Sequence, residues 1–316
     1  MMIKSKLVAL AILGCIVSAP FLYYKISLRP VGKGEVKVIV IKEGASLSQI
    51  SKELKKERLV RSETAFKIHV TLSGLSKKLQ AGSFSLSPAS SAAQISQSLT
   101  VGALDTWVTI PEGLRVEEIA KRLNEKLGIP EKEFVSSAQE GYMFPDTYLL
   151  PKKTTSQEVV KIMRVNFERR FSSLRSKISP KLTEKQLVIL ASLVEREVKF
   201  SEDRPKVAGI LIRRLNLGMP LEVDATVQYA LGYSQEEKTW WRKNLTQKDL
   251  KNSSPYNTRE FAGLPPAPIA NPGLSSLEAV ISPVQADYLY YLSDEKGKIY
   301  YAKTLDEHIQ NINSYL

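Results

Sequence analysis

A strand–turn–helix pattern recurs along the first half of this chain and limits its fold more than any other feature. Ile41-Lys42-Glu43-Gly44 is followed by Leu47, Ile50 and Leu54. Ile110-Pro111-Glu112-Gly113 is followed by Val116, Ile119 and Leu123, at a constant offset of 69. A weaker copy between them, offset by 45 from the first, has Leu86, Pro88, Ala89, Ala92, Ile95 and Leu99. Each copy opens on a short apolar run, at Val36–Ile41, Phe84–Leu86 or Trp107–Ile110, which is a strand signal. A Gly or Pro turn follows, and then apolar residues at i, i+3 and i+7 mark one face of a helix. Ser46 with Gln49 has the spacing of a capping box. The pattern predicts an α+β protein that begins with small βα units. Such units are a common packing solution, so the repeat alone assigns no function.

A second feature concerns the compartment. Leu7 to Tyr24 is an 18-residue run without a charge. As a helix it would extend about 27 Å, close to the hydrocarbon thickness of a bilayer. Lys4 and Lys6 precede it, Tyr23 and Tyr24 close it, and Lys25 and Arg29 follow. The run predicts a single transmembrane signal-anchor within residues 1–30, with the rest of the chain outside the cytoplasmic membrane. Two other readings stand beside it: a cleaved signal peptide ending near Val17-Ser18-Ala19, and a lipoprotein using Ile12-Leu13-Gly14-Cys15.

Composition then narrows the chemistry. The single cysteine, Cys15, excludes an intramolecular disulfide and a cysteine-based zinc site. The two histidines, His69 and His308, exclude a His-rich metal site. Carboxylates remain as the natural catalytic groups, and no metal or cofactor is expected. Lys and Arg outnumber Asp and Glu by 45 to 33, a formal net charge of +12, which predicts a polyanionic neighbour.

The spacing predicts a buried helix over Thr183–Val198. Thr183 and Gln186 form its capping box, and Leu187-Val188-Ile189-Leu190-Ala191 with Leu193-Val194 is apolar nearly all round. Glu195 falls on the apolar stripe of Val188, Ala191 and Val198. Burial raises a carboxyl pKa, as a general acid near neutral pH requires. A structural ion pair with Arg213 or Lys199 is the alternative. Glu197 points off the stripe and is expected at the surface or behind the site.

Six stretches occur in order. They are Glu140-Gly-Tyr-Met-Phe-Pro-Asp-Thr-Tyr-Leu-Leu150, Ala191-Ser-Leu-Val-Glu-Arg-Glu197, Arg204-Pro-Lys-Val-Ala-Gly-Ile-Leu-Ile-Arg-Arg214, Leu221-Glu-Val-Asp-Ala-Thr-Val-Gln-Tyr229, Ser254-Pro-Tyr-Asn-Thr258 and Gly263-Leu-Pro-Pro-Ala-Pro-Ile-Ala-Asn-Pro-Gly273. Together they closely resemble the endolytic murein transglycosylases of the YceG-like family, from about residue 36 to the C-terminus. The resemblance implies an enzyme that cuts nascent peptidoglycan strands at the outer face of the cytoplasmic membrane, with Glu195 as the catalytic residue. It implies β-1,4 cleavage between N-acetylmuramic acid and N-acetylglucosamine with a 1,6-anhydro product. The chain departs from the family pattern at Ala225, at Ala267 and at Gly297-Lys-Ile-Tyr-Tyr301, where a histidine is replaced by Ile299.

The division expected is 1–30 for the tip and anchor, 31–104 for βα modules that loosely resemble LysM glycan-binding units, and 105–316 for a mixed α/β catalytic domain. Tyr142, Asp146, Tyr148, Asp224, Thr226, Gln228, Tyr256, Asn257 and Thr258 are candidates for the glycan groove, Asp224 also reading as a helix N-cap. Trp240-Trp241 reads as core plus exposed rim, or as a stacking surface for sugars. Between Lys161 and Lys181 lie seven basic residues and one acid, Glu168, either a solvated helix face or a contact for anionic lipid and acidic glycan. The expected partners are peptidoglycan strands, the cytoplasmic membrane and, as candidates, peptidoglycan synthases; nucleic acid is excluded for want of any reader motif. A non-enzymatic glycan-binding scaffold and a hydrolytic muramidase are the rival functions.

Overall fold

The structure, a computed structural model, describes residues 18–178, 182–285 and 287–316. Cys15 and most of the expected anchor lie outside them. Among the described residues no helix is long and apolar enough to cross a membrane.

In chain order the elements are α1 (residues 18–27), β1 (Lys37–Ile41), α2 (Leu47–Lys56), α3 (Glu63–Leu72), β2 (Gly82–Leu86), α4 (Ala92–Val101), β3 (Asp105–Thr109), α5 (Val116–Leu127), α6 (Glu131–Ser137), β4 (Thr147–Pro151), α7 (Ser156–Arg175), α8 (Glu184–Glu197), α9 (Arg204–Asn216), α10 (Asp224–Leu231), α11 (Gln247–Leu250), α12 (Leu274–Ile281), β5 (Tyr290–Ser293), β6 (Ile299–Ala302) and α13 (Leu305–Tyr315). The fold is α+β and mostly helical. Its described strands form only two-stranded sheets, β1–β2, β3–β4 and β5–β6. This corrects the expectation of a mixed α/β second half. There the long helices bury their apolar faces on one another, so no central sheet is needed to build the core.

The chain divides into two compact units. One runs up to Val108 and adds Tyr148–Lys153; the other comprises Thr109–Thr147 and Thr154–Leu316.

The repeat takes solid form, with its first two copies in the first unit and the turn and helix of its third copy in the second. Helices α2, α4 and α5 start at Leu47, Ala92 and Val116, which keeps the offsets of 45 and 69. Ser46–Gln49 makes the capping box, and Ser91–Gln94 makes another in the middle copy. The first two copies are not separate modules, however. β1 pairs antiparallel with β2, from Lys37 opposite Leu86 to Ile41 opposite Gly82. Alternation then sends Ile39, Ile41, Phe84 and Leu86 inward, where they meet Ile50, Leu54, Phe66, Val70, Ile95 and Leu99 in one core. A two-stranded ribbon with a single helix buries too little apolar surface to stand alone, so two copies close on each other.

The second unit is organised around α8. Every residue from Leu187 to Val194 is buried, as an all-round apolar helix requires. α8 packs against α9 and α12, and α12 also meets α7. The stripe of α7, Phe167, Phe171 and Leu174, is buried, with Phe167 and Phe171 stacked at 5.3 Å. Its arginines are engaged within the unit. Arg170 pairs with Asp146, Arg175 with Glu168 and Glu184, and Arg164 lies over the Tyr142 ring at 4.4 Å.

Candidate active site

Glu195 lies in the last turn of α8, where the apolar stripe runs out against other segments. Its side chain is only 5% exposed. Arg204 Nη2 donates to Oε1 at 2.9 Å, and the Gly273 N–H donates to Oε2 at 2.9 Å. Arg204 opens α9, so the short connection after α8 brings it back over the carboxyl. Gly273 is the N-cap of α12, so the positive end of that helix faces the same group. The partner is therefore neither Arg213, which pairs with Asp287, nor Lys199, which reaches the Lys296 carbonyl. Burial pushes the Glu195 carboxyl above its ordinary pKa; the charge of Arg204 and the Gly273 N–H pull it back, and nearby Glu112 pushes it up again. Geometry and burial both suit a group that alternates between acid and carboxylate.

Glu112 was not among the candidates read from the sequence. Its Oε2 lies 3.5 Å from Arg204 Nη1, and its side chain is 48% exposed. It belongs to the turn of the third repeat copy, where repetition made it read as a structural residue. That turn is pressed into the site. A Cβ on Gly113 would lie 3.4 Å from Glu195 Cγ, and φ there is +74°. A Cβ on Gly273 would fall 1.8 Å from Glu112 Oε1, so a side chain at that crossing would displace the Glu112 carboxylate.

One buried side chain pins the turn in place. Asn271 gives its backbone carbonyl to the Gly113 N–H and its backbone N–H to the Leu114 carbonyl. Its Nδ2 donates to Leu114 O at 2.9 Å and to Glu140 Oε1 at 2.6 Å, while Oδ1 accepts the Met143 N–H at 2.9 Å. Glu140 also accepts the Val116 N–H at 3.3 Å, at the start of α5. Burial raises Glu140 to about 8, against the pull of those hydrogen bonds. Gly141, at φ +87°, meets Pro268. The stretches around residues 110, 140, 195 and 270 thus converge.

A wall of rings and guanidinium groups adjoins Glu195. Arg196 lies over Trp241 at 3.7 Å and donates to the Gly113 carbonyl. Arg115 lies over Tyr229 at 4.1 Å and over Trp240 at 4.4 Å. Trp241 Nε1 donates to Glu118 at 2.9 Å. Tyr256 packs on Tyr229, with ring centroids 4.9 Å apart. Trp240 and Trp241 are thus half-buried and held by cation–π contacts.

The other candidates have diverse surroundings. Thr226 and Thr258 are buried and share a hydroxyl contact at 3.0 Å, and the Thr258 Oγ1 accepts the Val223 N–H. The Asn257 amide donates to the Leu250 and Asn252 carbonyls. Gln228 Nε2 donates to the Arg242 carbonyl at 2.8 Å. Tyr142 meets Phe167 edge-on at 4.9 Å. Asp146 accepts from Asn166 and Arg170 of α7. Tyr148 lies in β4, in the first unit.

One expectation is corrected, and one of two alternative readings is set aside. Asp224 is not an N-cap: Val223 holds that place, and Asp224 is the first helical residue, its carboxylate paired with Arg259 at 2.6 Å. Glu197 is not at the surface. The Tyr291 hydroxyl donates to it at 2.9 Å, and burial raises it to about 7. The strand β5 covers this side of α8, which helical spacing alone could not reveal.

The sequence matches the YceG-like family over residues 39–314. A protein of Bacillus subtilis (strain 168) named endolytic murein transglycosylase is 32% identical, with 95% of this chain and 91% of that protein aligned. One of the same name from Streptococcus pneumoniae (serotype 2, strain D39) is 28% identical over 99% of this chain, which spans 64% of its length. The crystal structure of a putative yceG-like protein from Listeria monocytogenes superposes with a TM-score of 0.59 at 28% identity, covering 88% of this chain and 99% of that one. The chain belongs to the YceG-like family.

Proposed function

We propose that this protein is a lytic transglycosylase of peptidoglycan, with Glu195 as its acid and base. The carrying observation is the Glu195 carboxyl, buried and pushed above its ordinary pKa, yet held between Arg204 and the N-terminus of α12. Protonated Glu195 gives its proton to the β-1,4 glycosidic oxygen between N-acetylmuramic acid and N-acetylglucosamine, and the C–O bond breaks. The oxocarbenium-like centre is relieved by the substrate's own N-acetyl group. Glu195, now a carboxylate that Arg204 and the Gly273 N–H stabilise, takes the proton of the muramoyl 6-hydroxyl as that oxygen closes the 1,6-anhydro ring. Water is not consumed, and the glutamic acid is restored.

Cleavage inside nascent strands, ending their elongation, is the expected role. The uncharged run from Leu7 to Tyr24 supports a single-pass anchor in the cytoplasmic membrane, with the catalytic part outside. The β1–α2–α3–β2 arrangement supports a LysM-like glycan contact in the first unit. Tyr256, Gln228 and the Trp240–Trp241 wall are the strongest candidates for sugar contacts, since they are half-buried rather than sealed in the core.

The test is digestion of purified sacculi by wild type and Glu195→Gln, with products read by mass spectrometry. Wild type should release 1,6-anhydro-muramoyl ends, and Glu195→Gln should lose about a hundred- to ten-thousand-fold of that activity while still binding glycan. Reducing ends heavier by one water would make it a muramidase instead, and undiminished cutting by Glu195→Gln would remove the mechanism.

A further inference from the structure

One guanidinium serves two carboxylates in this site. Arg204 directs Nη2 to Glu195 at 2.9 Å and Nη1 towards Glu112 at 3.5 Å, while its buried Nε makes no hydrogen bond. An arginine free to choose closes a two-point fork on one carboxylate, and that fork strongly favours the ionised form. Here the fork is split. The carboxylate that splits it is the exposed one, on a turn that Asn271 fixes and that glycine at 273 leaves room for.

We propose that Glu112 is a positioning residue: it holds Arg204 off a two-point grip on Glu195 and so leaves Glu195 free to carry the proton it transfers. This rests on the reading of Glu195 as proton donor. The groups facing Glu195 are few. α9 supplies Arg204, the β3–α5 turn supplies Glu112, and α12 supplies the Gly273 N–H and the buried Ser276 hydroxyl, which also pulls the Glu195 carboxyl down. Arg196 is the neighbouring charge on α8. Of these, only Glu112 is a carboxylate that competes for Arg204. Without it, both Nη atoms turn to Glu195, the ionised form gains, and the acid is lost at neutral pH.

The experiment is the pH dependence of 1,6-anhydro product formation from purified sacculi by the full chain in detergent. Wild type, Glu112→Gln, Glu112→Asp and Gly273→Ala are compared. Glu112→Gln should lose up to about tenfold at pH 7, with its high-pH limb moved acidward by about one unit and activity recovered at lower pH, because one pKa unit is at most a tenfold change in the protonated fraction. Glu112→Asp should lie between. Gly273→Ala keeps the charge of Glu112 but pushes it off Arg204, and should move the limb the same way. A fall by one factor at all pH values, or an unmoved profile, overturns the proposal, whatever the melting temperature does. Glu195→Gln run alongside separates the two readings. If it stays active, the assignment of Glu195 fails; if it is dead while the Glu112→Gln limb stays put, only the role of Glu112 fails.

Discussion

The first and third copies of the repeat share a local structure but not a purpose. Both run from strand through a Glu-Gly turn into a helix, and both glycines are left-handed, with φ of +75° at Gly44 and +74° at Gly113. In both, the helix buries the same three positions in register, Leu47/Ile50/Leu54 and Val116/Ile119/Leu123, the first of these only in part at Leu47. They part at the turn. Nothing lies within 4 Å of a Cβ on Gly44, whereas one on Gly113 touches Glu195 and Arg196. Ser46 caps its helix with a hydroxyl. Arg115, at the equivalent place, leaves the cap to Glu118, which accepts its N–H at 3.0 Å, and spends its guanidinium on Tyr229 and Trp240. A scaffold unit can therefore acquire site residues at its turn without changing its fold, because turn side chains contribute little to the core.

The comparison can be broken most forcefully in the cores. Leu54 and Leu123 are both fully buried, so Leu54→Ala and Leu123→Ala should each cost about 2–5 kcal/mol in chemical denaturation. A large inequality would mean that the copies are not equivalent as scaffolds. The next contrast lies at the helix starts. α5 begins beneath the buried Glu140, whose folded pKa of about 8 stands above the ordinary carboxyl value. The unfolded chain then releases that proton first, so stability is greatest below the unfolded pKa and falls as pH rises from about 4.5 to 8. Melting temperatures of Glu140→Gln should show a shallower fall over that window than wild type. At the turns, Gly44→Ala and Gly113→Ala should each cost about 1 kcal/mol from the left-handed backbone, but only Gly113→Ala should also reduce glycan cleavage. Equal activity in the two would deny the third turn its place in the site. Smallest of all, Ser46→Ala should lose roughly 0.5–1 kcal/mol of stability with cleavage unchanged.

Much of this was legible before any coordinates. Periodicity located α2, α4, α5, α7 and α8, and capping spacings located the starts of α2 and α8 to the residue. The stripe containing Glu195 identified a buried carboxyl. Helical spacing falls short where a remote segment decides the environment. Glu197 points off the stripe of α8 but is covered by Tyr291 of β5, and Asp224 turned from a cap into an ion pair because Arg259 approaches it. Glu112 reads as structural because its copy Glu43 shares the Ile two residues before it and the Gly after it.

The sequence by itself determined the repeat, the caps, the buried helix and the carboxylate on it. These depend on contacts within one or two turns of chain, and a period of 2 or 3.6 records them directly. Only the tertiary structure decided which cation meets Glu195, that Glu112 shares it, and that Asn271 ties the turn at residue 113 to the loops at 140 and 270. Those choices follow from buried polar groups that must find partners wherever the packed chain supplies them, and sequence spacing carries no record of that supply.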